Sequence, residues 1–136
     1  MDLNTYLSFN GTCETAFKFY EKVLGGKIVA MMTYAEMPGN SEISKESKDR
    51  IMHARLQFGD KLLMGSDAPQ DRFEAPKGFH VILGVKEPAE ADRLFGALAA
   101  GGTITMPIQE TFWAKRFGML VDQFGTPWMV NCEKHA

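Results

Sequence analysis

Two glycine pairs stand at matching places in the two halves of this 136-residue chain. Gly25-Gly26 closes one amphipathic stretch and leads into Lys27-Ile28-Val29. Gly101-Gly102 closes another and leads into Thr103-Ile104-Thr105. Glycine just past a helix C-terminus adopts a left-handed conformation that other residues avoid, and the residues that follow each pair favour a strand. A helix, a glycine stop and a strand that recur half a chain apart restrict the fold to two copies of one small module. Paired modules usually build their site at the seam between them.

In the first copy, residues 6–10 alternate as a strand. Thr5, Leu7 and Phe9 point one way, and Asn4, Tyr6, Ser8 and Asn10 the other. Gly11 breaks the strand, and Thr12 is placed to cap a helix with Glu14 in its first turn. Cys13, Ala16, Phe17, Tyr20, Val23 and Leu24 form a single apolar stripe at helical spacing, suited to lying on a flat surface. Residues 27–34 read as a second strand. Residues 35–50, polar and carrying Pro38-Gly39, read as a long loop, with a lid as its functional reading. Over 51–58 the alternation is strict: Met52, Ala54, Leu56 and Phe58 share one face, and His53, Arg55 and Gln57 the other. Gly59-Asp60 turns the chain into a strand over 61–65, and residues 66–78 join the modules, set at about 1–66 and 79–136 of a single domain.

The second copy follows the same plan. A strand covers 79–85. Pro88 opens a helix with Ala91, Leu94, Phe95 and Leu98 as its stripe, and strands follow over 103–108, 117–121 and 128–132, the last after the tight turn Asp122-Gln123-Phe124-Gly125. The order is βαβββ, twice. This defines an α+β fold in which each helix backs one face of a mostly antiparallel sheet, and the uncovered faces curl together as a cup.

Composition excludes several function classes. A net charge of -2 provides no basic surplus to neutralise phosphates, so no nucleic-acid partner is expected. No apolar stretch reaches the roughly 20 residues a bilayer span needs, and the N-terminus lacks a signal-peptide pattern. Cys13 and Cys132 show no metal or redox spacing and read as buried small hydrophobes of a cytoplasmic protein. Nine methionines are many for this length; most read as core filler, with an adaptable apolar pocket as the alternative.

At this point the chain resembles a known family. The βαβββ repeat, with Phe19-Tyr20 and Val23-Leu24-Gly25-Gly26 closing the first helix and Asp122 and Gly125 before the last strand, is similar to the vicinal oxygen chelate superfamily of glyoxalase I, extradiol dioxygenases and bleomycin-resistance proteins. Further stretches look like its PhnB-like branch: Tyr6-Leu7-Ser8-Phe9-Asn10-Gly11, Arg50-Ile51-Met52-His53-Ala54, Met64-Gly65-Ser66-Asp67-Ala68-Pro69, and above all the run over 109–131 with Gln109-Glu110-Thr111-Phe112-Trp113 and Trp128-Met129-Val130-Asn131. The resemblance covers essentially the whole chain. Members of this branch often carry a demethylubiquinone methyltransferase label, but no glycine-rich loop between a strand and a helix is present to hold a nucleoside cofactor.

The resemblance implies four metal-ligand positions, one on each of four strands, holding a divalent ion that polarises vicinal oxygens. Position by position they fall at Asn4 or Thr5, within residues 62–65 (Leu63, with Asp67 just beyond), at His80, and at Met129. Only His80 is a good ligand, and one imidazole is not a catalytic metal site. The expectation is therefore no cofactor, with a divalent metal as the alternative if His53, Asp67 or Glu110 supplied replacement donors. Candidate pocket residues are His53, Arg55, Asp67, His80, Glu110, Trp113, Arg116 and Met129. Of these, Glu110 is read either as a base or, equally, as a surface residue beside a dimer contact, and Arg116 either as a clamp for an anionic ligand or as a hairpin-turn charge. No catalytic residue is assigned. Two functions are carried forward: a small-molecule binding protein without the full metal site, and a metal-dependent lyase, isomerase or dioxygenase with a rearranged one. The resemblance also implies a homodimer, which would cover the sheet edges.

Overall fold

The structure is a computed structural model that describes residues 1–36, 45–69 and 71–134. The chain divides into two compact units, Met1–Ala75 and Pro76–Ala136. Each holds one four-stranded mixed sheet and one long helix, so the α+β class and the βαβββ order stand as read.

In unit 1 the elements are β1 (Thr5–Phe9), α1 (Cys13–Leu24), β2 (Lys27–Thr33), a single 3-10 turn over Tyr34–Glu36, the helical turn α2 (Lys45–Lys48), β3 (Ile51–Phe58) and β4 (Lys61–Asp67). The sheet order is β1-β4-β3-β2, with β1 parallel to β4 and the other pairs antiparallel. The helix stripe is buried as its spacing requires: Cys13, Ala16, Phe17, Tyr20 and Val23 meet the sheet face that carries Leu7, Phe9, Ala54, Leu56 and Leu63. Gly65 is what lets the helix lie close. A Cβ there would stand 2.9 Å from the Phe17 ring and 2.9 Å from the Leu7 carbonyl oxygen.

Unit 2 repeats this with β5 (Val81–Gly84), α3 (Pro88–Ala99), β6 (Thr103–Gln109), β7 (Ala114–Val121) and β8 (Pro127–Glu133), in the order β5-β8-β7-β6. Ala91, Leu94, Phe95 and Leu98 of α3 are buried with Leu120, Trp128, Val130 and Cys132 of the sheet. Pro88 opens α3, where its missing N–H leaves nothing unsatisfied.

The two glycine pairs divide their labour in the same way in both units. Gly25 and Gly101 have φ of +79° and +76°, the left-handed turn out of each helix. Gly26 and Gly102 lie against the equivalent strands: a Cβ on Gly26 would be 2.8 Å from the Gln57 carbonyl oxygen of β3, and one on Gly102 would fall on that of Val121 in β7.

Several expectations are corrected. Thr12 occupies the N-cap position of α1 but its side chain caps nothing; Asp67, paired with Phe9 at the end of the adjacent strand, takes that role. The 35–50 segment is not loop throughout, since it contains the 3-10 turn and α2. The lid reading spans 34–50, and its central residues 37–44 lie outside the described residues. Strand β7 begins at Ala114 rather than near 117, and β5 is shorter than 79–85. The core-filler reading of methionine fails as well. None of the eight described methionines belongs to the buried core, and Met37 lies outside the described residues. Leu, Phe, Val, Ala and one Trp fill the space between helix and sheet instead.

Candidate functional site

With one sheet face backed by a helix, the alternation of each strand leaves a second set of side chains on the opposite face. In unit 1 the cross-strand register places Tyr6, Met64, Arg55 and Ala30 in one row of this open face. Ser8 pairs with Ser66, and Met32 pairs with His53, in the neighbouring part of the face. The Tyr6 hydroxyl and His53 Nδ1 are 3.1 Å apart, and their rings are stacked with centroids 5.7 Å apart and planes 27° from parallel. Arg55 is exposed and makes no ion pair among the described residues.

The open face of unit 2 is more apolar. Ile82, Met129, Met119 and Met106 form one row across all four strands. Gly84, Asn131 and Phe117 form the next. Trp113, 43% exposed, packs edge-on against Phe117 with ring centroids 5.3 Å apart. Asn131 Oδ1 is buried without a hydrogen-bond partner among the described residues. Such orphaned acceptors are rare in folded proteins.

The sequence-predicted residues separate into three groups. His53 and Arg55 share the open face of unit 1, as their alternation requires. Met129 lies on the open face of unit 2, and Trp113 borders it. His80 is half-buried and directly precedes β5.

Asp67, Arg116 and Glu110 are committed elsewhere. Asp67 is 1% exposed, and its Oδ1 accepts the backbone N–H groups of Gly11 and Cys13 while Oδ2 accepts that of Ile51. That arrangement uses the carboxylate to hold three chain segments together, not to meet a ligand. Arg116 is in register with buried Cys132 and reaches the helix side of the sheet, where its Nε donates to Asp92 Oδ1 of α3 at 2.8 Å. It therefore does not project from the open face as an anion clamp would. Glu110 is exposed and ion-paired with Lys134 at 3.0 Å, the environment of a solvated surface carboxylate and not of a desolvated base. Trp128 is fully buried and donates its indole N–H to Asp122 Oδ2 at 2.8 Å, which makes it core.

Tyr6 and Asn131 belong on these faces and were not singled out from sequence as candidates. For Tyr6 the signal was present in the alternation of β1. For Asn131 it lay only in its place two residues beyond Met129.

The superfamily's chelate does not fit these donors. Among the described residues no three of His, Cys, Asp and Glu come together to hold a metal ion. His80 has a thioether, Met129, at the position where a carboxylate would complement it, and Asp67 is taken up by backbone N–H groups.

Comparison with known proteins agrees with the architecture. The sequence pattern of the Glyoxalase/Bleomycin resistance protein/Dioxygenase superfamily matches residues 2–130, and the chain belongs to that superfamily. Within it the chain is PhnB-like. Protein YjdN of Escherichia coli (strain K12) is 37% identical over 142 residues, covering 98% of this chain and 97% of its own. The crystal structure of protein PA1353 from Pseudomonas aeruginosa has a TM-score of 0.91 at 47% identity, covering 98% of each chain. The PhnB protein of Bacillus cereus has a TM-score of 0.81 at 25% identity, covering 97% of this chain and 99% of its own.

Proposed function

We propose that this protein is a cytoplasmic small-molecule binding protein that takes up a largely apolar ligand on its open sheet faces without a resident chelated metal, and that it works as a homodimer. The observation that carries the reading is the placement of methionine. Met32 and Met64 stand on the open face of unit 1, and Met106, Met119 and Met129 on that of unit 2. Unbranched, polarisable thioethers adapt their shape to what they touch, which suits a binding surface better than a unique core. The few polar groups among them, Tyr6, His53 and Asn131, provide the orienting hydrogen bonds that small-molecule sites require.

The test is a thermal-shift screen of apolar small molecules on protein purified without a histidine tag, with metal content measured in parallel. A ligand that binds the folded state raises the melting temperature by mass action. The shift should persist after chelator treatment and should weaken in Met119→Leu, a substitution that cores and surfaces tolerate at a cost of about 1 kcal/mol. A stoichiometric metal lost in His80→Ala would sink the metal-free reading and favour a metal-dependent lyase, isomerase or dioxygenase. Sedimentation equilibrium checks the dimer.

A further inference from the structure

The open face of unit 1 carries a small polar island whose chemistry goes beyond apolar contact. We propose that Tyr6, His53 and Arg55 form a recognition site for a small organic anion of the carboxylate class. The inference rests on the reading of the open faces as binding surfaces and specifies what one of them selects.

The imidazole is the centre of the argument. We assign the Tyr6 hydroxyl as the donor of the 3.1 Å hydrogen bond to His53 Nδ1, because a phenol donates better than it accepts. With that assignment Nδ1 is the acceptor and the ring N–H lies on Nε2. The stacked Tyr6 ring restrains the imidazole plane as well. His53 thus presents a donor, in a set orientation, to whatever approaches the face.

Arg55 lies two residues further along the same strand and on the same side, about 6.6 Å away along β3. Its register neighbours Met64 and Ala30 offer no charged acceptor. The strand positions on this face (6, 8, 27, 30, 32, 53, 55, 57, 62, 64 and 66) contain no Asp or Glu. The guanidinium fork is therefore left for an external acceptor, and its geometry matches a carboxylate bidentately. Ser8 and Ser66, paired across β1 and β4, add two hydroxyl-bearing residues to the same face. Met32 next to His53 and Met64 next to Tyr6 flank the island with apolar surface, which favours an organic anion over an inorganic one.

The test compares three probes of similar shape: benzoate, neutral benzamide and cationic benzylamine. Binding is followed by NMR of the methionine methyl groups and of 15N-labelled histidine. Benzoate should bind at least about ten-fold more tightly than benzamide, as expected for a charge-assisted contact. Arg55→Met should abolish that preference, and Tyr6→Phe should reduce benzoate affinity while shifting the His53 nitrogens from a pure Nε2–H pattern to a mixture of tautomers. Both substitutions are at exposed side chains, so the fold is retained. If benzamide or benzylamine binds as well as benzoate, or benzoate is indifferent to Arg55→Met, the anion inference is overturned and the binding reading survives. If none of the three probes moves a methionine methyl group on the face, the anion inference is overturned, and the binding reading stands or falls by the thermal-shift screen alone.

Discussion

Asp67, at the end of β4, accepts the backbone N–H of Cys13, at the start of α1, across 54 residues of sequence. The same carboxylate takes Gly11 N–H at 2.8 Å and, with its other oxygen, Ile51 N–H at 2.8 Å. One buried side chain thus joins the β1–α1 connection to the first residue of β3. Nearby, Arg50 donates to the carbonyl of Ala68 and to Asn10 Oδ1, so the same corner is tied from the outside as well. Replacing Asp67 with alanine orphans three backbone donors, each costing about 1–3 kcal/mol when buried. Because neighbouring losses are not additive, about 3–5 kcal/mol is expected, a large part of a domain's total stability. Asp67→Asn keeps the oxygen that serves Gly11 and Cys13 and should lose about half as much. Urea denaturation of the two variants measures this, and a loss under about 1 kcal/mol for the alanine variant would contradict the role.

The glycine pairs predict an ordering of two substitutions. Gly25→Ala places a side chain at φ +79° with nothing within 4 Å to clash, so it costs only the left-handed backbone penalty, about 1 kcal/mol. Gly102→Ala has no such conformational problem, but its Cβ would fall on the Val121 carbonyl and close to the Asp122 backbone. The β6 strand must then move away from β7, and the loss should exceed that of Gly25→Ala by about 1–3 kcal/mol. Equal losses in thermal denaturation would show that the second glycine of the pair is not a packing position.

The contrast between these two kinds of residue explains what the sequence disclosed and what it withheld. The helix stripe from Cys13 to Val23 and the alternation of β3 are local periodicities, and each identifies one buried face without any knowledge of what covers it. The glycine pairs are equally local, so the repeat was legible. Asp67 was not, because its three partners are distant in sequence and it stands beside an apparently complete cap at Thr12. Of the two readings of Arg116 the clamp fails, because β7 starts three residues earlier than the pattern suggests and the bulge between Ala114 and Arg116 resets which face follows. Methionine was ambiguous in principle, since a thioether suits either face of a sheet. Only the register, in which Met106, Met119 and Met129 line up across three strands, decides between them.

Cys13 should make the protein sensitive to alkali. Its thiol pKa is pushed well above the ordinary 9.0, first by burial and then by the negative charges of Asp67 and Glu14. Tyr34 is shifted in the same direction by burial and by Asp67, and its hydroxyl donates to the Asp67 carbonyl at 2.8 Å. In both cases the folded state holds a proton that the unfolded chain releases. For Cys13 the stabilisation is complete below the ordinary thiol pKa and is lost as pH rises above about 9, at up to about 1.4 kcal/mol per pH unit. The partly exposed Tyr34 adds a smaller loss in the same direction, starting above its own ordinary value of 10.0. Denaturant titrations from pH 7.5 to 10.5 should show stability falling from about pH 9, with Cys13→Ala removing the earlier part of the slope. The buried thiol should also resist alkylation in the native state at pH 8 and react once the chain is unfolded. A pH-independent stability across this range would refute the assignment.

Asn131 tests whether a site residue is kept at a cost. Its Oδ1 is buried with no partner among the described residues, so this carbonyl oxygen has been taken from water without compensation. Leucine, of similar volume and without the orphaned acceptor, removes that penalty. Asn131→Leu should therefore leave stability unchanged or raise it by about 1 kcal/mol, whereas a polar core position normally loses stability on such a change. Its β8 neighbours make the comparison sharp. Val130 and Cys132 are fully buried on the helix side, and Val130→Ala should cost about 1–3 kcal/mol in the same assay. If Asn131→Leu is stabilising and also weakens a ligand found in the thermal-shift screen, the amide is retained for binding and not for folding. If it destabilises as much as Val130→Ala, Asn131 belongs to the architecture of unit 2 and not to its open-face chemistry.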